Sequence, residues 1–136
     1  LFAVVRDPFE RVASVFRYMK DHPYHGPHKA FDLTSLDAFV DCQAFRTGSY
    51  LARPQKDFVD GNPVCLLGLE NLASEWEGLL SFLGLSKFHL PLPHINKSES
   101  EPPRWTKFAR RLVLESILDD LALHAEVSVS SRCADL

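Results

Sequence analysis

The chain has 136 residues, 46% of them hydrophobic and 24% charged, with a formal net charge of −3. That length and apolar share suit one domain with one core, and the acidic balance argues against nucleic acid or an acidic membrane surface as the main partner. Cys42, Cys65 and Cys133 are odd in number and widely spaced, which disfavours a zinc site or a disulfide framework; Cys65 reads as a small core residue, with a mild lean to a reducing compartment.

Leu1 to Val5 is an unbroken apolar run, too short for a helix and typical of a parallel strand covered on both faces. After Arg6, Asp7 is a good N-cap, Pro8 suits the first helical position, and Glu10 stands three residues after the cap as in a capping box. The helix that follows has Phe9, Val12, Ala13, Phe16 and Met19 as its apolar stripe, with Arg11 and Ser14 sharing another face, and it fades near Lys20. Two prolines and a glycine make residues 21–28 a loop. Its His22, His25 and His28 recur every third residue, but nothing rigid aligns them for a metal; an acceptor-side loop and a plain exposed loop are the readings left.

Thr34 or Ser35 caps a second helix with Leu36, Phe39 and Val40 inward, ending before Gly48. Residues 45–60 are loop-rich, and Arg53 before Pro54 is biased to extended geometry. Arg46 and Arg53 read as solvated charges, with an anionic acceptor as the alternative. Val64 to Leu67, bounded by Pro63 and Gly68, predicts a second buried parallel strand beside the first. A helix over 70–83 then places Leu72, Trp76, Leu79, Leu80 and Leu83 inward and stops at Gly84. Residues 86–103 form a long proline-bounded loop around Asn96-Lys97-Ser98, of a length more often functional than idle. A last helix over about 105–125 has Trp105, Phe108, Leu112, Ile117 and Leu121 as its buried stripe and Arg110, Arg111, Asp119 and Asp120 largely outside. The Ser-rich stretch 127–136 reads as a flexible tail. Strand, helix, strand, helix order gives an α/β class, helix-rich with few parallel strands.

The strand-to-helix junction is the candidate site. A helix start offers unpaired N–H groups and partial positive charge to an anion, and residues 1–20 carry four basic against two acidic side chains in an acidic protein. Arg6 and Arg11 can grip a phosphate through paired N–H bonds and Ser14 can add a hydroxyl donor. The alternative is that Arg6 pairs with Asp7 or Glu10 and that Ser14 is a small residue at a helix contact.

Arg6-Asp-Pro-Phe-Glu-Arg11-Val-Ala-Ser14, led in by Phe2-Ala-Val-Val5, resembles the 3′-phosphate-binding motif of sulfotransferases that use 3′-phosphoadenosine 5′-phosphosulfate (PAPS). The branch it resembles holds the Golgi carbohydrate sulfotransferases and their bacterial relatives. Arg53-Pro-Gln55 with Asp57-Phe58, Gly68-Leu-Glu70-Asn71-Leu72, and Leu92-Pro-His-Ile-Asn96-Lys97-Ser98 resemble that branch's later landmarks in the same order. The resemblance spans residues 1–126 and implies a P-loop-kinase-like three-layer fold. It implies that Arg6 and Ser14 hold the 3′-phosphate of PAPS or of its product PAP, that Lys97 and Ser98 return to the same nucleotide, and that Glu70 caps or orients its turn. No metal is implied. The turn before Glu70 is one residue short of the usual form and carries Leu69 where a basic residue is common.

In the family, the loop that wraps the 5′-phosphosulfate precedes the first motif, and this sequence contains no Gly-x-x-x-x-Gly-Lys-Ser/Thr. The expectation is therefore a fragment or a shortened relative, truncated at the N-terminus, with no catalytic residue to name. Such a chain binds the far end of the donor, where contacts give affinity without chemistry, and does not turn over alone. The parent activity implied is transfer of a sulfonate group to a hydroxyl acceptor, carbohydrate first. The competing readings are a non-catalytic interaction domain, a kinase-type fragment that prefers ATP, and a glycan-binding module. The compartment implied is cytoplasmic for a bacterial parent and the Golgi lumen for an anchored eukaryotic one.

Overall fold

The computed structural model describes residues 2–24, 29–47, 53–61, 65–92 and 100–129. Strand β1 (Phe2–Val5) leads into helix α1 (Pro8–Asp21); α2 (Leu36–Asp41), α3 (Gln43–Arg46) and α4 (Lys56–Val59) follow. Strand β2 (Cys65–Gly68), a 3₁₀ turn (Leu69–Asn71), α5 (Leu72–Phe82), a second 3₁₀ turn (Ser86–Phe88) and α6 (Lys107–Val129) complete the order. The two strands pair in parallel, Phe2 with Cys65 through Val5 with Gly68, so the protein is a helix-rich α/β structure with a short parallel sheet.

Local chemistry sets these elements much as the sequence predicts. The Asp7 carboxylate accepts the Glu10 N–H at 2.9 Å and Pro8 opens α1; Ser35 rather than Thr34 caps α2, accepting the Ala38 N–H at 3.1 Å. Gly84 stops α5 at φ +70°, a left-handed conformation that favours glycine. Thr106 starts α6, its hydroxyl accepting the Ala109 N–H at 3.0 Å while donating to Asp37 of α2 at 2.6 Å.

The main core is helical. Val12, Phe16 and Met19 of α1, Leu36, Phe39 and Val40 of α2, Phe45 of α3, and Ala109, Val113 and Ile117 of α6 are buried together. Phe39 is at its centre, 5.3 to 5.5 Å from the rings of Phe16, Phe31 and Phe45. A smaller cluster of Cys65, Leu67 and Leu79, flanked by Leu72 and Trp76, joins β2 to α5.

Five expectations change. β1 is not covered on both faces: Val5 is 1% exposed, but Phe2 and Val4, on the alternate side, are 42% and 39% exposed. Leu83, expected inward, is exposed beyond the end of α5. In α6 Ile117 is buried as expected and Leu112 and Leu121, with Trp105 just before the helix, pack partly buried against the core, but the other fully buried positions are Ala109, Val113, Asp120 and Val127, and Phe108 is exposed. Small residues and one acid at these positions blur the periodicity of the helix, and a break in helical geometry at Ile117 (φ −124°, ψ 15°) shifts the phase between its two halves. The helix also runs to Val129, so Val127 belongs to the packed structure rather than to a tail. Cys65 is a half-cystine as well as a core residue, and Cys42 is a free thiol.

Candidate functional site

The junction between β1 and α1 gathers side chains from three distant segments. The Gln55 amide treats the Arg6 peptide as a strand neighbour would: Arg6 N–H donates to Gln55 Oε1 at 3.0 Å and Gln55 Nε2 donates to the Arg6 carbonyl at 2.9 Å. One residue on, the Asp7 N–H donates to Glu70 Oε1 at 3.1 Å. The box expected between Asp7 and Glu10 is therefore half formed: Glu10 turns instead toward Arg6 (3.9 Å), and Glu70 takes the donor it would have met. Glu70's other oxygen lies 3.3 Å from His124 Nε2 of α6. Burial pushes the Glu70 carboxyl up, but the bonds from Asp7, from its own backbone and from His124 outweigh this and hold it below the usual range.

A second polar hub lies beneath. Asp120 of α6 is fully buried and accepts the backbone N–H groups of Gln55 (2.8 Å) and Lys56 (2.9 Å). Arg11 Nη1 stands 3.8 Å from the same carboxylate, while its Nη2 donates to the Arg53 carbonyl at 2.7 Å. The sequence reading put Asp120 outside. It sits three residues after Ile117 and seven after Val113, on the face those residues bury, and that spacing is the signal that locates it.

The candidate residues thus fall into three groups. Arg6 keeps a part-exposed guanidinium whose nearest acid, Glu10, is at the edge of ion-pair range, and the Ser14 hydroxyl, half-buried on α1, has no hydrogen-bond partner among the described residues. Arg11 is engaged by Asp120 and Arg53 and acts as a brace across the junction. Lys97 and Ser98, with His25 and His28 of the first loop, lie outside the described residues. Just after the Lys97 loop, Ser100 is docked on α1: the Arg17 Nε donates to its carbonyl at 2.7 Å and its hydroxyl donates to Asp21. Arg17 follows Ser14 by three positions, on the same side of the helix.

The cap that forms as expected also limits the helix start as an anion site. Asp7 occupies the Glu10 N–H and Pro8 has none to give, so an anion here relies on side chains more than on a ring of backbone donors. Beside the junction a cavity of about 390 Å³ is lined by Ala3, Val5, Arg11, Val15, Gln55 and Phe58 among others, apolar with two polar groups at its edge. Among the described residues no three His, Cys, Asp or Glu side chains gather as a metal site, and no helix is long and apolar enough to cross a membrane. No family model, curated protein or solved structure matches the chain.

Proposed function

We propose that this is a sulfotransferase-type domain, of P-loop-kinase-like three-layer architecture, that binds the 3′-phosphoadenosine end of PAPS or PAP. The observation that carries the reading is convergence. The three segments that resemble the family's motifs within the described residues, around Arg6–Ser14, Arg53–Asp57 and Gly68–Leu72, lie far apart in sequence and close on one junction through Gln55 and Glu70. Chance resemblance in three separate stretches gives no reason for them to meet.

Arg6 supplies the charge to the 3′-phosphate and Ser14 a hydroxyl donor; Arg11 holds the segment that carries Gln55 and so keeps Arg6 in place. Lys97 and Ser98 reach the same nucleotide from the loop whose far end Arg17 and Asp21 fasten to α1. These contacts act on a part of the donor that does not change during transfer, so they give binding without lowering a barrier. The reaction served is sulfonate transfer to a hydroxyl, carbohydrate first. The isolated 136 residues bind and do not turn over, since none of the assigned residues meets the sulfonate or its leaving group.

Calorimetry with PAP tests this. The expected result is micromolar binding, weakened at least about tenfold by Arg6→Ala and by a smaller factor by Ser14→Ala, with ATP giving no heat. No heat from PAP with a folded chain overturns the reading; sulfate transfer from PAPS by the isolated chain overturns the claim that it only binds. A second reading, a non-catalytic interaction domain, is favoured by one observation: Arg11 is already spent on Asp120 and Arg53, and Asp7 fills the helix start. It predicts a stable chain with no nucleotide affinity.

A further inference from the structure

Opposite its buried face, α6 turns a second stripe to solvent. Lys107, Arg111, Leu114, Leu118, Ala122 and Ala125 recur at steps of three and four residues, and all are exposed. Leu118, at 61%, is the most exposed large aliphatic side chain among the described residues, and Leu114 one turn before it is 39% exposed. We propose that this face is a homodimer interface, on which a second copy of the chain packs with its own α6 running antiparallel.

Charge selects that occupant. The exposed basic residues of α6, Lys107, Arg110 and Arg111, all lie at its N-terminal end, and the exposed acids, Glu115, Asp119 and Glu126, all follow them. A helix by itself favours the reverse, with acids near its N-terminus and bases near its C-terminus, because of the partial charges its aligned peptides leave there. α6 has no acid in its first turn and no base in its last. Its Arg111 and Glu115, 3.8 Å apart, also run base before acid, the weaker order for a pair four residues apart. A second α6 laid antiparallel relieves both conflicts: each basic end meets an acidic end, and the two helix dipoles oppose. A parallel copy would set like charge on like, and an anionic membrane or a nucleic acid would repel the acidic half.

The side chains also fit a twofold contact. With the axis between Leu114 and Leu118, Leu114 of each copy meets Leu118 of the other, and every contact is made twice. Ala122 and Ala125 are small, which lets the two helices come close at the ends of the apolar patch. In this register Arg111 comes beside Asp119 of the second copy, and Lys107 beside Glu126 of the second copy. Asp119 is 72% exposed although Lys56 stands 3.6 Å from it, so its carboxylate can take a second cation. Burying Leu114 and Leu118 from both copies supplies the apolar centre, and the charged ends set direction and register.

This interface does not depend on the nucleotide reading and uses none of its residues. Sedimentation equilibrium of the full chain over a range of concentrations tests it. The expected result is a reversible monomer–dimer equilibrium with a dissociation constant of about 10 μM, weakened severalfold by high salt because the end charges are exposed. Leu118→Asp weakens it at least about tenfold with an unchanged circular dichroism spectrum, since the side chain is exposed. Arg111→Glu and Asp119→Lys each weaken it severalfold alone, and an equimolar mixture of the two regains the parental affinity, because the swapped pair and the native pair then both match. A chain that stays monomeric at about 1 mM, a dimer indifferent to Leu118→Asp, or a mixture that recovers nothing overturns the proposal. PAP calorimetry on the same sample reports separately on Arg6, so failure at either site is read independently.

Discussion

Two regions of this small protein are held by different means. Among the described residues, ten buried side chains form one apolar cluster around Phe39 where α1, α2, α3 and α6 meet. The described part of the cluster shared by the sheet and α5 holds three, and β1 leaves Phe2 and Val4 exposed. The candidate site lies on the seam between the two, where the links are polar: Gln55 to Arg6, Glu70 to Asp7, Asp120 to the loop and to Arg11. Directional bonds between side chains and backbone fix backbone positions at this seam. The adjacent cavity is what such an arrangement leaves open.

The largest effect tests that division. Phe39→Ala empties the centre of the helical cluster and should cost about 4 kcal/mol, enough to unfold a small domain near its stability limit. Leu79→Ala removes the α5 member of the small cluster that joins α5 to β2, where neighbours can settle into the space, and should cost about 2 kcal/mol. Chemical denaturation of both variants gives the comparison. Equal losses would show that the sheet side carries as much of the stability as the helical side.

Asp120→Asn comes next, and it addresses the seam alone. The amide keeps the shape but replaces one acceptor oxygen with a donor, so either the Gln55 or the Lys56 N–H loses its partner and Arg11 loses its counter-charge. A loss of about 3 kcal/mol is expected, because breaking one side of a buried pair leaves its partners uncompensated. PAP affinity should fall with it under conditions where the variant is still folded, since Gln55 no longer holds Arg6 firmly. A variant as stable as the parent would mean that the buried acid is dispensable and that the helical cluster positions the loop unaided.

How much of this was legible beforehand follows the same division. β1, α1, α2, β2 and α5 were readable because each is bracketed by strong local signals: Asp7-Pro8, Ser35, the apolar runs and Gly84. In α6 the sequence pattern marks Ile117 but not Ala109, Val113 or Asp120, because two of these are small and one is an acid, whereas the larger Phe108 is left exposed by the packing. At the candidate site, residue type and spacing single out Arg6 and Ser14, and the structure adds that Arg6 is part-exposed and that the Ser14 hydroxyl has no hydrogen-bond partner among the described residues. The supports of the site were not legible in this way. Gln55 and Glu70 were visible as landmarks, yet their bonds to residues 6 and 7 cross 49 and 63 positions of chain, and no local rule carries that information.

The smallest effect is the most specific probe of the seam. Glu70 holds Asp7 and faces His124, with its carboxyl below the usual range although burial opposes this. A group whose folded pKa is depressed contributes stability that is fully present above its unfolded value and is lost as pH falls through the folded one. The stability difference between the parent and Glu70→Gln should therefore be widest near neutrality, under about 1 kcal/mol because the side chain is half exposed, and should shrink on acidification through the carboxylate range. Denaturation curves at a series of pH values measure it. A gap that stays constant with pH would mean that Glu70 supports the junction by shape and hydrogen bonding alone. Charge would then add nothing, and the pairing with His124 would be a neighbour contact rather than a tie between α6 and the candidate site.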